Sequence, residues 1–191
     1  MSQRNTELML LAREGDDHAF DRLMEQNRSR VLNLVYRFIG SRHEAEDLAQ
    51  EVFLKVYRSR KRYEPRARFS TWLYRITANL CLNFRRDATR RDMLKMSTLE
   101  NEGERALGIL DPRSERPDLH QSREEIREQV REALHQLPEN QRMAIILAKY
   151  EDLSYREIAE IVDSTEKAIK SLLHRARTTL RHKLDRIINN P

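Results

Sequence analysis

The chain has 191 residues, of which 35% are charged and 39% hydrophobic, with a formal net charge of +5. That length suits one domain or two small ones, and with four glycines and five prolines the composition favours helices with long solvated faces over a β-sandwich or barrel. One cysteine, Cys81, excludes an internal disulfide, and no Cys/His spacing resembles a zinc site. There is no long apolar run for a membrane span and no secretory signal near Met1. The expectation is a cytoplasmic protein that uses no metal and no cofactor.

Residues 1–93 form one helical block. Leu8, Leu11 and Ala12, then Ala19, Leu23, Val31, Leu34, Val35 and Phe38, recur at helical spacing. Gly15-Asp16-Asp17 and Gly40-Ser41 are the breaks. Ser41 with Glu44 matches the S-x-x-E capping box, which starts a helix near His43. On that helix Ala45, Leu48, Ala49, Val52, Phe53 and Val56 form the inner face. Asp47, Gln50, Glu51 and Leu54 cluster on the opposite side. A leucine among acids on an outer face suggests a docking patch; a solvated helix with one stray leucine gives the same pattern.

Residues 55–91 hold twelve Lys and Arg against two acids, Glu64 and Asp87. That excess is the electrostatic footprint of a polyanion partner. Tyr57, Tyr63, Phe69, Trp72, Tyr74 and Phe84 lie within it. On a helix over residues 70–87, Leu73, Ile76, Leu80 and Phe84 make the core stripe, and Trp72, Arg75, Asn79 and Arg86 align on a flank. Unstacked bases can sit on aromatic faces, and Asn can read a base edge. A core role for Trp72 with solvated arginines is the alternative.

Residues 94–121 hold two of the glycines and two of the prolines, without sustained periodicity, and read as a linker. Ser122 with Glu125 is a second capping box, followed by a stripe of Ile126, Val130, Ala133, Leu134 and Leu137. Pro138 suits the start of a helix over residues 139–150. Ser154 with Glu157 is a third capping box. From there a helix to about Val162, a break at Asp163-Ser164 and a second helix over residues 165–184 have helix-turn-helix spacing. Ile169, Leu172, Leu173, Ala176 and Leu180 face inward. Lys167, Lys170, Ser171, His174, Thr178 and Arg181 face outward, with Arg175 flanking. Asp163 stands at the turn, where Gly is common; Asp tolerates left-handed backbone better than most residues. A plain helical hairpin with a charged face is the alternative.

Three segments in order resemble the extracytoplasmic-function (ECF) sigma factors of the sigma-70 superfamily: AEDLAQEVFLKVY (45–57), FSTWLYRITANLCLNFRR (69–86) and the stretch from LPENQRMAIILAKYEDLSYREIAEIV to KSLLHRAR (137–177). The resemblance implies an all-α protein of two small helical domains, 1–93 and 122–191, joined by a flexible linker at 94–121, the second a helix-turn-helix. It implies that Asp47, Gln50, Glu51 and Leu54 bind the clamp helices of core RNA polymerase. It implies that the minus-10 promoter element meets Tyr63, Arg66, Arg68, Phe69, Ser70, Trp72, Tyr74, Arg75, Asn79 and Arg86, where DNA is melted and a base captured. Lys167, Lys170, Ser171, His174 and Arg175 would read the minus-35 element while the second domain contacts the polymerase flap. An anti-sigma factor commonly holds such proteins inactive. A DNA-binding regulator that works without polymerase leaves residues 55–91 unexplained. For an enzyme, the six histidines show no metal spacing and no nucleophile motif appears.

Overall fold

The structure is a computed structural model and describes residues 2–99 and 119–188. Among these there are α-helices and one 3-10 turn and no strand: α1 (Ser2–Glu14), α2 (Asp17–Ile39), α3 (Arg42–Ser59), the turn Arg60–Arg62, α4 (Phe69–Leu99), α5 (Leu119–His135), α6 (Glu139–Tyr150), α7 (Tyr155–Ile161) and α8 (Glu166–Ile188).

The sequence breaks sit where the chain turns. Asp16 caps α2, its carboxylate accepting from the Ala19 amide at 2.9 Å. α2 ends at Gly40, whose φ of 91° is left-handed and whose N–H returns to the Tyr36 carbonyl. Ser41 then caps α3 by accepting from the Glu44 amide. Ser154 and Glu157 complete a reciprocal capping box on α7. Bonds from the Ser154 backbone and hydroxyl hold the Glu157 carboxyl below its usual range.

In the first domain α2 packs against α1, α3 and α4, and α4 also meets α1 and α3. Leu23, Val31, Leu34, Val35 and Phe38 of α2 meet Ala45, Leu48, Val52 and Val56 of α3, all buried. Each such side chain contributes about 1.5–3 kcal/mol through its removal from water. A buried pair, Asn5 and Asn27, joins α1 to α2 by a 3.3 Å hydrogen bond, and Asn27 also donates to the Leu23 carbonyl.

α4 departs from the expected stripe. Leu73 is buried, but Ile76, Leu80 and Phe84 are only half-buried, whereas Thr71, Tyr74, Thr77, Ala78 and Cys81 are buried. The helix packs against α1, α2 and α3 and also against α7 of the second domain, so its inner surface is wider than one apolar row. Burial pushes the Cys81 thiol up to about 12. α4 also continues to Leu99 and α5 begins at Leu119. Ser122 therefore lies inside α5 rather than at its N-cap, and the rest of the expected linker, 100–118, is outside the described residues.

In the second domain α6 and α7 pack on α8, with α5 on its other side. Ile145, Ile146, Leu147, Ile158, Ile161, Ile169, Leu173 and Ala176 are buried. Asp163 takes up the turn at φ 53°, the left-handed conformation expected of it.

The two domains meet along a seam. Arg142 of α6, only 2% exposed, donates to the Phe38 carbonyl at 2.9 Å, to the Leu137 carbonyl at 3.2 Å and to the His135 carbonyl. It also lies 3.1 Å from His135 Nδ1. The His135 ring lies against Gly40 so closely that a Cβ there would fall 2.5 Å from Nε2. Arg37 stacks on Tyr150 at 4.1 Å, and Arg131 on Tyr36 at 5.4 Å. These cation–aromatic contacts hold the same seam from both sides.

Burial, then the charges of Arg142, Arg85 and Arg131, lowers the His135 pKa from 6.5 to about 4, with Glu128 opposing. An unfolded His135 takes up its proton as pH falls through 6.5, while the folded one stays neutral until about 4. The folded state therefore loses stability across that window and gains nothing from His135 at higher pH. Between pH 7.5 and 5, wild type should lose more thermal stability than His135→Gln. Parallel pH profiles would place the imidazole outside this linkage.

Candidate nucleic-acid and docking interfaces

α3 presents the clearest division. Its six inward residues are all buried, and Asp47, Gln50, Glu51 and Leu54 are all exposed, Leu54 at 54%. Leu54 and Gln50 border an open apolar groove of about 680 Å³ between α2 and α3. Phe20, Met24, Leu32, Ala49, Phe53 and Tyr57 form its walls, with Glu25, Arg28 and Glu46 at the polar margin. The α2 wall went unnoticed in the sequence. Its signal was available, because Met24 and Leu32 are apolar yet fall off the buried stripe of that helix.

The residues expected at the minus-10 element fall into three groups. Tyr63, Phe69 and Tyr74 are buried. Tyr63 lies edge-on to Trp72, with centroids 5.1 Å apart, and Phe69 is 6.1 Å from Tyr63 and 6.0 Å from Trp72. Burial raises the Tyr63 hydroxyl pKa, with a hydrogen bond to Thr6 opposing. In this conformation Tyr63 and Phe69 are packing beneath the face rather than platforms on it, and Trp72 is half-buried above them.

The second group meets the other domain. Tyr74 donates its hydroxyl to Glu151, and burial together with that carboxylate raises its pKa. Arg75 donates to the Glu160 carbonyl at 3.1 Å, and Arg68 lies 3.5 Å from Glu157. Ser70 lines the same polar cleft with Glu151 and Asp152. The third group is open. Asn79 and Arg86 are exposed and border a hollow of about 710 Å³ with Asn83 and Arg90. Arg86 donates to Asn83 at 2.9 Å. Arg66 is exposed and pairs with Glu64 at 2.6 Å.

On α8, Lys167, Lys170, Ser171, His174 and Arg175 are all exposed, on the face opposite buried Ile169, Leu173 and Ala176. Thr165 caps the helix by accepting from the Ala168 amide at 3.2 Å. A helix held against α7 by its apolar side, with Lys, Ser, His and Arg outward, has the donors that phosphates and base edges accept. No metal-binding group of His, Cys, Asp or Glu occurs among the described residues, and no described helix is long and apolar enough to cross a membrane.

Two family descriptions match the chain: Sigma-70 region 2 over residues 23–91 and Sigma-70, region 4 over residues 127–180. The chain is 35% identical over 191 residues to the ECF RNA polymerase sigma-E factor of Escherichia coli (strain K12), covering 98% of this chain and 99% of that one. It is 34% identical over 182 residues to the RNA polymerase sigma-H factor of Pseudomonas aeruginosa, covering 93% and 92%. Among solved structures, CnrH in complex with the cytosolic domain of CnrY matches with a TM-score of 0.67 at 22% identity, covering 95% of this chain and 97% of that one. The sigma factor RpoE bound to the anti-sigma factor NepR from Bartonella quintana matches at 0.63 and 22% identity, covering 87% and 96%. These two likenesses are of fold.

An all-helical chain with a region 2 followed by a region 4 is a sigma factor of the sigma-70 class. Within that class this chain belongs to the ECF family of RNA polymerase sigma factors.

Proposed function

We propose that this non-catalytic initiation factor docks on the clamp helices of core RNA polymerase through Asp47, Gln50, Glu51 and Leu54. The partner surface is basic or mixed, with an apolar side chain for the groove beside Leu54. The exposed face of α8 reads the minus-35 element, and the second domain meets the flap. The basic flank of α4 holds the minus-10 strand. The observation that carries this reading is the placement of two exposed working faces, acidic with a leucine on α3 and basic on α8, each backed by a buried apolar stripe. A regulator acting without polymerase has no use for the first of them. An anti-sigma partner is part of the proposal, because the two solved structures named above are complexes, one with an anti-sigma factor by name.

Melting tests the reading. Extracting one base costs a few kcal/mol in lost pairing and stacking. Lys and Arg hold duplex and single strand alike, so a stacking surface and an edge reader must supply the preference for open DNA. Trp72 and Asn79 are the accessible candidates, since Tyr63 is buried behind Trp72. Asn79→Ala in reconstituted holoenzyme should change the preferred base at one minus-10 position and leave core binding intact. Permanganate reactivity of unpaired thymines reads the opening. Unaltered base preference and opening would move the capture site away from this flank.

A further inference from the structure

α1 ends before the residues matched to region 2 begin at 23, and neither exposed working face lies on it. Its buried positions are Asn5, Leu8, Met9 and Ala12, one stripe at helical spacing. Within that apolar seam Asn5 donates to Asn27 of α2 at 3.3 Å. A slip of α1 by one turn, about 5.4 Å, would break this bond and bury the Asn5 amide without its partner, so the pair fixes the register.

In that register α1 grips Tyr63 at two points. The Arg13 guanidinium donates to the Tyr63 carbonyl at 3.3 Å, and Thr6, two turns earlier, is bonded to the Tyr63 hydroxyl. Tyr63 is 1% exposed, and its ring backs Trp72 at 5.1 Å and Phe69 at 6.1 Å. Between Tyr63 and Phe69 the residues 64–68 are all exposed. The far end of this loop is fastened to α4, where the Arg68 carbonyl accepts from the amides of Thr71 and Trp72 at 3.0 and 3.3 Å. The near end is held by the bond from the Tyr63 amide to the Arg60 carbonyl, 3.1 Å, and by Arg13.

We infer that Arg13 is a positioning residue for promoter recognition: through Tyr63 it sets the seat of the Trp72 ring and the near end of loop 64–68, between which a captured minus-10 base is read. The inference rests on the minus-10 reading above. Arg13 acts on protein, so its influence is confined to the promoter position that this loop meets. One bond to one carbonyl is enough, and an ammonium can supply it as well as a guanidinium.

The test uses the full chain. Trp72 is its one tryptophan, so intrinsic fluorescence reads the seat of that ring directly. Holoenzyme selection from promoters randomised across the minus-10 element reads base preference. Arg13→Met keeps the length of the side chain and removes the donor. It should shift Trp72 emission and lower discrimination at one minus-10 position roughly fivefold or more, the least that one base contact supplies. The other positions and the minus-35 element should keep theirs, and Arg13→Lys should restore both signals. Thr6→Val keeps the side-chain shape without the hydroxyl. It should move the emission and the same promoter position in the same direction, and it decides the matter if Arg13→Met does not fold.

A loss of affinity equal for all sequences, with a salt slope lower by about one, would make Arg13 a phosphate contact and overturn the inference. A lower melting temperature or altered emission with base preference unchanged would overturn it as well, since a purely structural bond does no more. Asn79→Ala is run alongside. A shift in preference with Asn79→Ala, and none with Arg13→Met or Thr6→Val, ends the inference and leaves the minus-10 reading standing; a shift with none of the three ends both.

Discussion

Reversing charge at Glu51 and truncating Leu54 together should weaken binding to core polymerase by roughly 30-fold or more, the effect of losing one interface hot spot worth about 2 kcal/mol. Both side chains are exposed on α3, on the side opposite the buried row from Ala45 to Val56 that builds the core. The Glu51→Arg, Leu54→Ala protein should therefore melt like wild type. The two changes act differently. Leu54 stands at the rim of the groove walled by Met24, Leu32 and Phe53, so its loss removes apolar contact and speeds dissociation. Reversal at Glu51 disfavours a basic surface during approach and slows association. Competition against a second sigma factor for core enzyme measures the sum, and stopped-flow binding separates the two. Wild-type competition with native melting would remove α3 from the docking surface.

The other large effect belongs to Arg142. Its guanidinium is buried, and burial lowers its pKa. It satisfies carbonyls at the ends of α2 and α5 and in the turn that follows. Arg142→Met fills similar space and leaves those carbonyls without their donor. A buried acceptor stripped of its partner costs about 1–3 kcal/mol, partly offset because the guanidinium no longer needs desolvation. The expected loss is about 3 kcal/mol, read as a shift in urea midpoint. Arg142→Lys should recover little, since a single ammonium cannot span the fork. Unchanged stability in Arg142→Met would mean that the guanidinium's burial cost cancels its hydrogen bonds.

Local signals carried far in this chain. Ser41 and Ser154 announce α3 and α7 because a capping side chain bonds only three residues ahead. The inner and outer faces of α3 are legible because one apolar stripe meets one core. Asp163 is legible at its turn because few other residues tolerate that backbone. α4 is where the reading slips, since a helix pressed from several sides buries Thr77 and Tyr74, which no hydrophobic period counts. Tyr63 and Phe69 looked like platforms because aromatic rings among arginines give one signal whether they face a base or each other. Ser122 imitated a cap because its spacing to Glu125 fits one, while the helix had already begun at Leu119. The seam could not be read at all. Its bonds join residues such as Tyr74 and Glu151, or Phe38 and Arg142, that lie 77 and 104 positions apart, and neither residue in either pair is unusual where it stands.

The burial of Cys81 has a practical consequence. It is the one thiol of the whole chain, and with its pKa at about 12 almost none of it is thiolate near neutrality. Maleimides and mild oxidants should pass it over in the folded protein. A cysteine introduced on the exposed face of α3 or α8 would then carry a dye or cross-linker alone, with the native thiol left in place.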